Sequence, residues 1–399
     1  MKSRSVLLAA IVVYFVIALE VLIMISPFAG FFYAAFDPVL LWFAQWPATR
    51  WLAAFFLPHM VLPPGLLLQA IRIAGSVLFL GGTVAFFFCA GQVYSSKIFR
   101  RGPVIGGLYL WVRHPQYLAL TVCGLGLTIL WPRFLTIVLW TVMVGLYYLL
   151  AKDEERRMVS QFGDQYREYM ARTGMFVPSG LERAIPGLVT FEPAWLRPLI
   201  GFVVVGVLAI GGAFGLRAYT VAQLPLWTEG RTTALAILSG DSIMLEHRMA
   251  AVLELPEVKS RLDGVSGQVL VYLLPTGYVM QGMIADTGPQ WRLYQNHQTL
   301  AMITDWIFHP FQHLEGGGHM AMHHEASGSS ALPNANVRRF IFLRIETPQP
   351  SPGPDSDFDI NVTRIPVFFA DIDIPNLKLV DTQSLGLGTG WGRVPTPMF

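Results

Sequence analysis

Long apolar stretches constrain this chain more than any other feature of its sequence. A helix rises about 1.5 Å per residue and the apolar core of a bilayer is about 30 Å thick, so about 20 apolar residues are enough to cross it. Stretches of this kind, each with at most two charged residues, occupy residues 6–27, 66–92, 116–131, 134–150 and 196–219. The sequence therefore predicts an α-helical integral membrane bundle with about five transmembrane helices.

The first 65 residues are less regular than the later spans. Residues 6–27 follow Lys2 and Arg4 and continue into aromatic residues, which predicts an uncleaved membrane anchor rather than a signal peptide. Residues 28–65 are broken by prolines, which favours re-entrant or interfacial segments. This region also contains Trp42, Trp46 and Trp51. Tryptophan is enriched at the headgroup level of a bilayer, so these residues fit that level.

The charged residues predict the orientation of the chain. Residues 1–219 hold 17 Lys and Arg against 9 Asp and Glu, whereas residues 220–399 hold 11 against 17. Basic clusters at 97–101 and 152–157 predict cytoplasmic loops, together with a cytoplasmic N-terminus. Residues 220–399 are then periplasmic or extracellular. The basic membrane part favours lipid headgroups as partners, and the acidic part argues against nucleic acid.

A polar motif precedes the third span and reads Tyr-Leu-Trp-Val-Arg-His-Pro-Gln-Tyr from Tyr109 to Tyr117. Pro115 suits the first position of a helix, and the free N–H groups there, beside Arg113, favour an anion such as a carboxylate. In the alternative interpretation, Arg113 extends to the lipid headgroups and His114 caps the helix.

A second motif follows the fourth span. Residues 153–157 read Asp-Glu-Glu-Arg-Arg, and Met158, Phe162, Tyr166 and Tyr169 then recur at helical spacing, which predicts an amphipathic helix at the membrane surface. Because the third and fourth spans form a hairpin, Glu154 and Glu155 return to the level of Arg113 and His114. The hairpin predicts a pocket of cations and carboxylates on the cytoplasmic side. A solvated boundary is the alternative.

Together, the two motifs closely resemble the isoprenylcysteine carboxyl methyltransferase and phospholipid methyltransferase superfamily of membrane enzymes. The resemblance covers about residues 66–178. It implies S-adenosylmethionine as methyl donor, bound on the cytoplasmic side. It also implies a lipophilic acceptor, a lipid or an isoprenoid-like molecule, that reaches the pocket from within the bilayer.

The resemblance also implies residue roles, by position in the motifs. The cofactor-binding residues would be Arg101, Val104, Tyr109, His114, Pro115, Gln116, Tyr117 and Glu154. Arg113 and Glu155 are assigned to orienting the acceptor and are the catalytic candidates. These residue types suit a zwitterionic sulfonium, which needs a cation, a carboxylate and an aromatic face.

Two positions depart from the pattern of the family. Leu150 stands where the prenylcysteine enzymes carry an arginine that meets the substrate carboxylate, which disfavours a prenylcysteine acceptor. Arg101 replaces a histidine of the family, and Gly102-Pro103 comes earlier than the usual Gly-Pro-Tyr.

Residues 220–399 resemble no family, and their composition predicts a soluble α+β domain. Strands are predicted at 268–274, 340–346 and 363–369, and a helix at 243–255. The chain from Asp371 onward, rich in Gly and Pro, is predicted to be an extended tail that lies against a protein partner.

Six of the nine histidines lie between residues 297 and 324. The candidates for zinc or copper ligands among them are His309, His313, His319, His323 and His324. Glycines at 316–318 and the small residues at 326–330 favour a flexible polar loop without metal, which is the interpretation we adopt.

The sequence thus predicts a methyltransferase-like membrane domain at 1–219, with its core motif at 101–178, and an outer domain at 220–399. The first functional hypothesis is a methyltransferase that acts on a lipophilic acceptor. The second is a catalytically silent accessory subunit that uses the same fold as a scaffold, with the outer domain as its contact surface. The third is metal binding through the histidine-rich loop.

Overall fold

The computed structural model describes residues 39–58, 65–99, 102–184, 196–278, 281, 284–285, 336–346 and 357–385. The predicted first span, Arg101, the five candidate metal ligands and the chain after residue 385 lie outside these ranges. Two compact units are formed. One contains the described residues of Ala70–Trp131 and Thr136–Ala213. The other contains those of Tyr33–Gln69, Pro132–Leu135 and Phe214–Phe399.

The first half of the described chain is helical. Its helices are α1 Val39–Gln45, α2 Arg50–Ala53, α3 Leu66–Ile98, α4 Pro115–Leu130, α5 Phe134–Arg172, α6 Ser179–Ala184 and α7 Leu196–Ala222. Within the described ranges, α3, α5 and α7 are long and apolar enough to cross a membrane, and α4 is a shorter apolar helix. The chain is therefore an integral membrane protein, whereas the count of five spans stays a prediction.

Glycines bring α3 and α4 into close contact. A Cβ atom at Gly82 would lie 2.5 Å from the main-chain nitrogen of Cys123, and one at Gly126 would lie 2.3 Å from that of Phe79. Helices in lipid associate through such small residues, because lipid tails are as apolar as the side chains and give no hydrophobic drive. Between α4 and α5, Trp140 Nε1 donates a hydrogen bond to the Thr121 carbonyl at 2.9 Å.

Helix α5 continues well beyond the predicted span at 134–150. The span and the predicted surface helix form one element of 39 residues, interrupted at Gly163, where φ is 55° and ψ is −127°. This conformation is strained for any residue with a Cβ atom, which explains glycine at the break. The charged residues of the second motif lie upstream of the break, on the uninterrupted part of the helix.

The described residues between 226 and 384 form one six-stranded sheet with the order β1-β2-β3-β4-β5-β6. Neighbouring strands are antiparallel except β2 and β3, which are parallel and are joined through helices α8 Ser242–Leu253 and α9 Pro256–Asp263. The strands are β1 Leu226–Glu229, β2 Thr232–Ala236, β3 Val269–Pro275, β4 Val337–Glu346, β5 Thr363–Asp373 and β6 Lys378–Ser384. The predicted α+β character and the three predicted strands are confirmed.

Both faces of the sheet carry buried apolar residues. Val269, Val271 and Leu273 of β3 belong to the same core as Met249 of α8, and the alternating residues of β3 belong to a second core. Up to residue 384 the predicted tail belongs to the sheet, because residues 371–373 end β5 and residues 378–384 form β6. Composition signalled the extended backbone there but not its hydrogen-bonded partner.

Candidate functional site

The first motif lies in a turn that is held by main-chain hydrogen bonds. A 3₁₀ turn at Gly107–Leu110 overlaps its start, and Pro115 begins α4. The N–H of Arg113 donates to the Gly174 carbonyl at 2.8 Å, and the N–H of His114 donates to the Met175 carbonyl at 3.1 Å. The residues that follow α5 therefore fix the entry to α4.

A buried ion pair fastens the same turn to α5. Arg113 Nε lies 2.6 Å from Glu155 Oε1, with the side chains only 8% and 5% exposed. The Arg113 guanidinium also donates to the carbonyls of Met170 and Thr173. Arg113 and Glu155 are thus paired with each other, and Arg113 is also hydrogen-bonded to the main chain near the end of α5.

His114 lies between the two glutamates. Its Nδ1 is 3.6 Å from Glu154 Oε2, and its Nε2 is 3.4 Å from Glu155 Oε1 in a geometry that makes no hydrogen bond. Burial alone would lower the pKa of this imidazole, but the carboxylates of Glu154 and Glu155 outweigh burial and raise the pKa above its ordinary value. The site therefore favours a positively charged His114.

Glu154 is the accessible carboxylate of the cluster, with a side chain that is 45% exposed. The Tyr117 hydroxyl donates to its Oε2 at 3.4 Å. The Tyr117 ring stacks on His114, with centroids 5.7 Å apart, and on Tyr147, with centroids 5.2 Å apart. An exposed carboxylate, a histidine that favours its cationic form and an aromatic face thus occur together.

Most of the predicted site residues are brought together here. Arg113, His114 and Tyr117 approach Glu154 and Glu155 across the two motifs. Pro115 and Gln116 occupy the first turn of α4, and Tyr109 is tied to α5 because the Tyr169 hydroxyl donates to its carbonyl at 2.6 Å. Val104 is half-buried in the loop before the turn. Arg101 lies outside the described ranges.

Sequence reasoning missed Tyr147, which is 1% exposed and belongs to the apolar cluster that contains Tyr117. A helical signal was available, because Tyr147 precedes Glu154 by seven residues and such residues share one helix face. Sequence reasoning also missed the role of Gly174 and Met175, whose carbonyls accept hydrogen bonds from the main chain of the first motif. Main-chain acceptors leave no mark on composition.

No group of three or more His, Cys, Asp or Glu residues that could hold a metal ion is present in the ranges that the structure describes. The histidine-rich stretch lies outside them. The metal hypothesis therefore stays a prediction.

Comparisons with known proteins identify the segment that carries the site. Residues 66–165 match the family model of phospholipid methyltransferases. A protein-S-isoprenylcysteine O-methyltransferase of Schizosaccharomyces pombe is 33% identical over 79 residues, which are 20% of this chain and 32% of that protein. No solved structure matches the chain.

These matches confirm the resemblance that the two motifs predict, within the segment that they cover. The match to the Schizosaccharomyces pombe protein covers about a third of the length of that protein. The family match ends before the sheet begins. The matched segment contains the turn at Arg113 and the residues Glu154 and Glu155 of α5.

Proposed function

We propose that this chain is a membrane methyltransferase that uses S-adenosylmethionine and modifies a lipophilic acceptor, a lipid or an isoprenoid-like molecule, at the cytoplasmic face. One observation carries the proposal. His114 and Glu154, 40 residues apart in the sequence, meet at 3.6 Å within the segment that matches the phospholipid methyltransferase family. The proposed orientation has a cytoplasmic N-terminus and an extracytoplasmic sheet, on the basis of the basic clusters.

The residues present fit the cofactor, whose amino-acid end carries an ammonium and a carboxylate. Glu154, exposed and only weakly bonded to Tyr117, is suited to the ammonium. His114, with a raised pKa, is suited to the carboxylate. The Tyr117 face is suited to a positive sulfur. When bound, S-adenosylmethionine would supply an electrophilic methyl group.

Positioning is the main task left to the protein. Methyl transfer is an in-line displacement, which needs alignment of the acceptor and the methyl group more than a strong acid or base. Because the guanidinium of Arg113 and the carboxylate of Glu155 are already paired, we propose that they orient the acceptor indirectly, by holding the turn that carries His114. In this proposal both are positioning residues.

Calorimetric titration of S-adenosylhomocysteine into the full chain in lipid nanodiscs tests the cofactor site. The substitution Glu154→Gln keeps the shape of the side chain and removes its charge. It should weaken binding at least about 10-fold, because the charged partner on the ligand loses roughly 1.5–3 kcal/mol of interaction. The melting temperature should change little, because the side chain is half exposed.

Asp153→Asn is the matched control, one position earlier on the same helix. Asp153 is 51% exposed and pairs with Arg156 and Arg157 at the surface, at 3.8 and 3.2 Å. The Asp153→Asn variant should bind S-adenosylhomocysteine with the affinity of the wild type. Equal affinity of wild type and Glu154→Gln would disprove the site. No binding by a folded wild type would disprove the function and favour the scaffold role.

A further inference from the structure

The tryptophans of the segment 39–58 fall into two groups. Trp42 on α1 and Trp46 directly after it are 55% and 56% exposed, whereas Leu40 and Ala44 of the same helix are buried. Trp51 is half-buried, and its ring lies 5.7 Å from that of Phe134 and 5.8 Å from that of Phe214. Trp51 is therefore a packed residue, whereas Trp42 and Trp46 are exposed; the headgroup level of all three stays a prediction.

The segment is attached to the ends of two helices that are able to cross a membrane. The N–H of Phe134, the first residue of α5, donates to the Ala54 carbonyl at 3.0 Å. The guanidinium of Arg217, near the end of α7, donates to the Phe55 carbonyl. These contacts and those of Trp51 lie within one of the two compact units.

The length of α7 indicates the level of this attachment in the membrane. Its 27 residues span about 40 Å, whereas the apolar core of a bilayer is about 30 Å thick. The last turns of α7, which contain Arg217, therefore reach the bilayer surface. Because residues 54 and 55 are bonded to the first residue of α5 and to the last turns of α7, they lie at that surface as well.

Tryptophan is suited to this level. Its ring is apolar and its N–H needs a polar partner, so it is enriched where the acyl chains meet the headgroups. We propose that α1 docks into the headgroup layer of the bilayer that α5 and α7 cross, with Trp42 and Trp46 as its anchors. Leu40 and Ala44 face the protein, and Trp51 packs against α5 and α7 instead.

Docking of α1 would also restrain the sheet. Arg50 Nε donates to the Ala44 carbonyl at the end of α1, and Arg50 Nη1 donates to the Asn361 carbonyl two residues before β5, both at 3.1 Å. A single side chain thus links α1 to the start of a central strand. Anchoring α1 in the headgroup layer limits the motion of β5 relative to the membrane surface.

Fluorine NMR of the full chain labelled with 5-fluorotryptophan, in nanodiscs, tests the proposal. The chain has 11 tryptophans, so Trp42→Phe, Trp46→Phe and Trp51→Phe identify three resonances by their loss. A lipid with a paramagnetic label at its headgroup should remove most of the intensity of the Trp42 and Trp46 resonances. The Trp51 resonance, from the half-buried packed residue, should lose less intensity than the other two and is the internal reference.

A water-soluble paramagnetic agent separates the other outcomes. Strong broadening of Trp42 and Trp46 by that agent, without an effect of the labelled lipid, would place them in water and overturn the proposal. Intensity that survives both reagents would mean that protein covers them, for example a second copy of this chain, and would overturn it too. The result does not depend on cofactor binding.

Discussion

At the scale of the residue, charge in a buried setting decides what each ionisable group can do. Arg113, His114 and Glu155 are all nearly inaccessible, yet each has a partner of opposite charge or a main-chain acceptor. A buried ion pair is weak support for stability, but its separation is costly, because one charge is left without compensation. The same cluster leaves only the Glu154 carboxylate accessible, which favours Glu154 as the ligand-contacting group.

The ionisation of His114 should be visible in the pH dependence of stability. Its pKa is raised in the folded chain, so its stabilising contribution is fully present below about 6.5, the ordinary value, and is lost as the pH rises through the raised pKa. Thermal unfolding between pH 5 and 9 measures this loss. Glu155→Gln removes one of the two carboxylates and should move the loss to lower pH.

His114→Asn is the control for that series, because it cannot titrate. The pH-dependent component should disappear in this variant. The same pH dependence in wild type and His114→Asn would show that another group is responsible. An unchanged midpoint in Glu155→Gln would contradict the contribution of the Glu155 carboxylate to the raised pKa of His114.

Asp357 illustrates the opposite case, a buried carboxyl that favours its neutral form. It is 2% exposed, and its Oδ2 accepts no hydrogen bond in the part of the chain that the structure describes. Burial raises its pKa, although a hydrogen bond from Thr233 and the charge of Arg364 act against this. Its stabilising contribution is therefore present below its unfolded pKa, about 3.9, and is lost as the pH rises through the raised value.

Asp357→Asn should accordingly raise the melting temperature at neutral pH, by roughly 2–4 °C for about 1 kcal/mol. The increase should vanish at acidic pH, where the wild-type carboxyl is neutral as well. Asp359→Asn, two residues away and exposed, should have little effect. A lower melting temperature of Asp357→Asn at pH 7 would mean that the carboxylate itself stabilises the fold.

At the scale of the element, the hydropathy of a continuous stretch predicts that a helix forms there. How closely two helices pack depends instead on single small residues at their contact. Gly81 and Gly82 are adjacent on α3 and are indistinguishable by composition. A Cβ atom at Gly82 would lie 2.5 Å from the main-chain nitrogen of Cys123 and 2.7 Å from the carbonyl oxygen of Ala119. A Cβ atom at Gly81 would meet nothing within 4 Å.

Gly82→Ala should therefore separate α3 from α4, with a loss of about 1–3 kcal/mol that is typical of overpacking. Gly81→Ala should be neutral or slightly stabilising, because alanine favours the helix over glycine by about 0.5–1 kcal/mol. Melting temperatures of both variants in nanodiscs measure the difference. Equal values would contradict the close approach of the two helices.

At the scale of the whole molecule, segments that are distant in the sequence are joined by buried arginines. The guanidinium of Arg217 donates to the carbonyls of Phe55 and Phe358, which are 162 and 141 residues away in the chain. Arg133, completely buried, donates to the Ala53 carbonyl and lies over the Phe55 ring at 4.0 Å. Segment 39–58 thereby belongs to the same compact unit as the sheet.

Arg217→Met should destabilise this unit, because it removes the charged donor of hydrogen bonds to two buried carbonyls, at about 1–3 kcal/mol each. Thermal unfolding of the full chain should show a lower melting temperature, and limited proteolysis should cut residues 39–58 faster. Arg248→Met is the control, because Arg248 is exposed on α8. A melting temperature equal to that of the control would contradict the role of Arg217 as a link.

The sequence alone determined the apolar character of α3, α4, α5 and α7, the strands β3 to β5 and the two motifs of the site. Hydropathy, strand composition and motif order depend on residues close together in the chain, so they can be read without a fold. The hairpin of α4 and α5 was sufficient to predict that His114 and Glu154 meet.

Only the tertiary structure decided which charged groups are buried in ion pairs and which are accessible to a ligand. Glu154 and Glu155 are neighbours in the sequence, but one is half exposed and the other is paired with Arg113. The stack of Tyr147 on Tyr117 and the packing of Trp51 against Phe134 and Phe214 belong to the same class. Each depends on contacts between residues that are far apart in the chain, and local composition carries no record of such contacts.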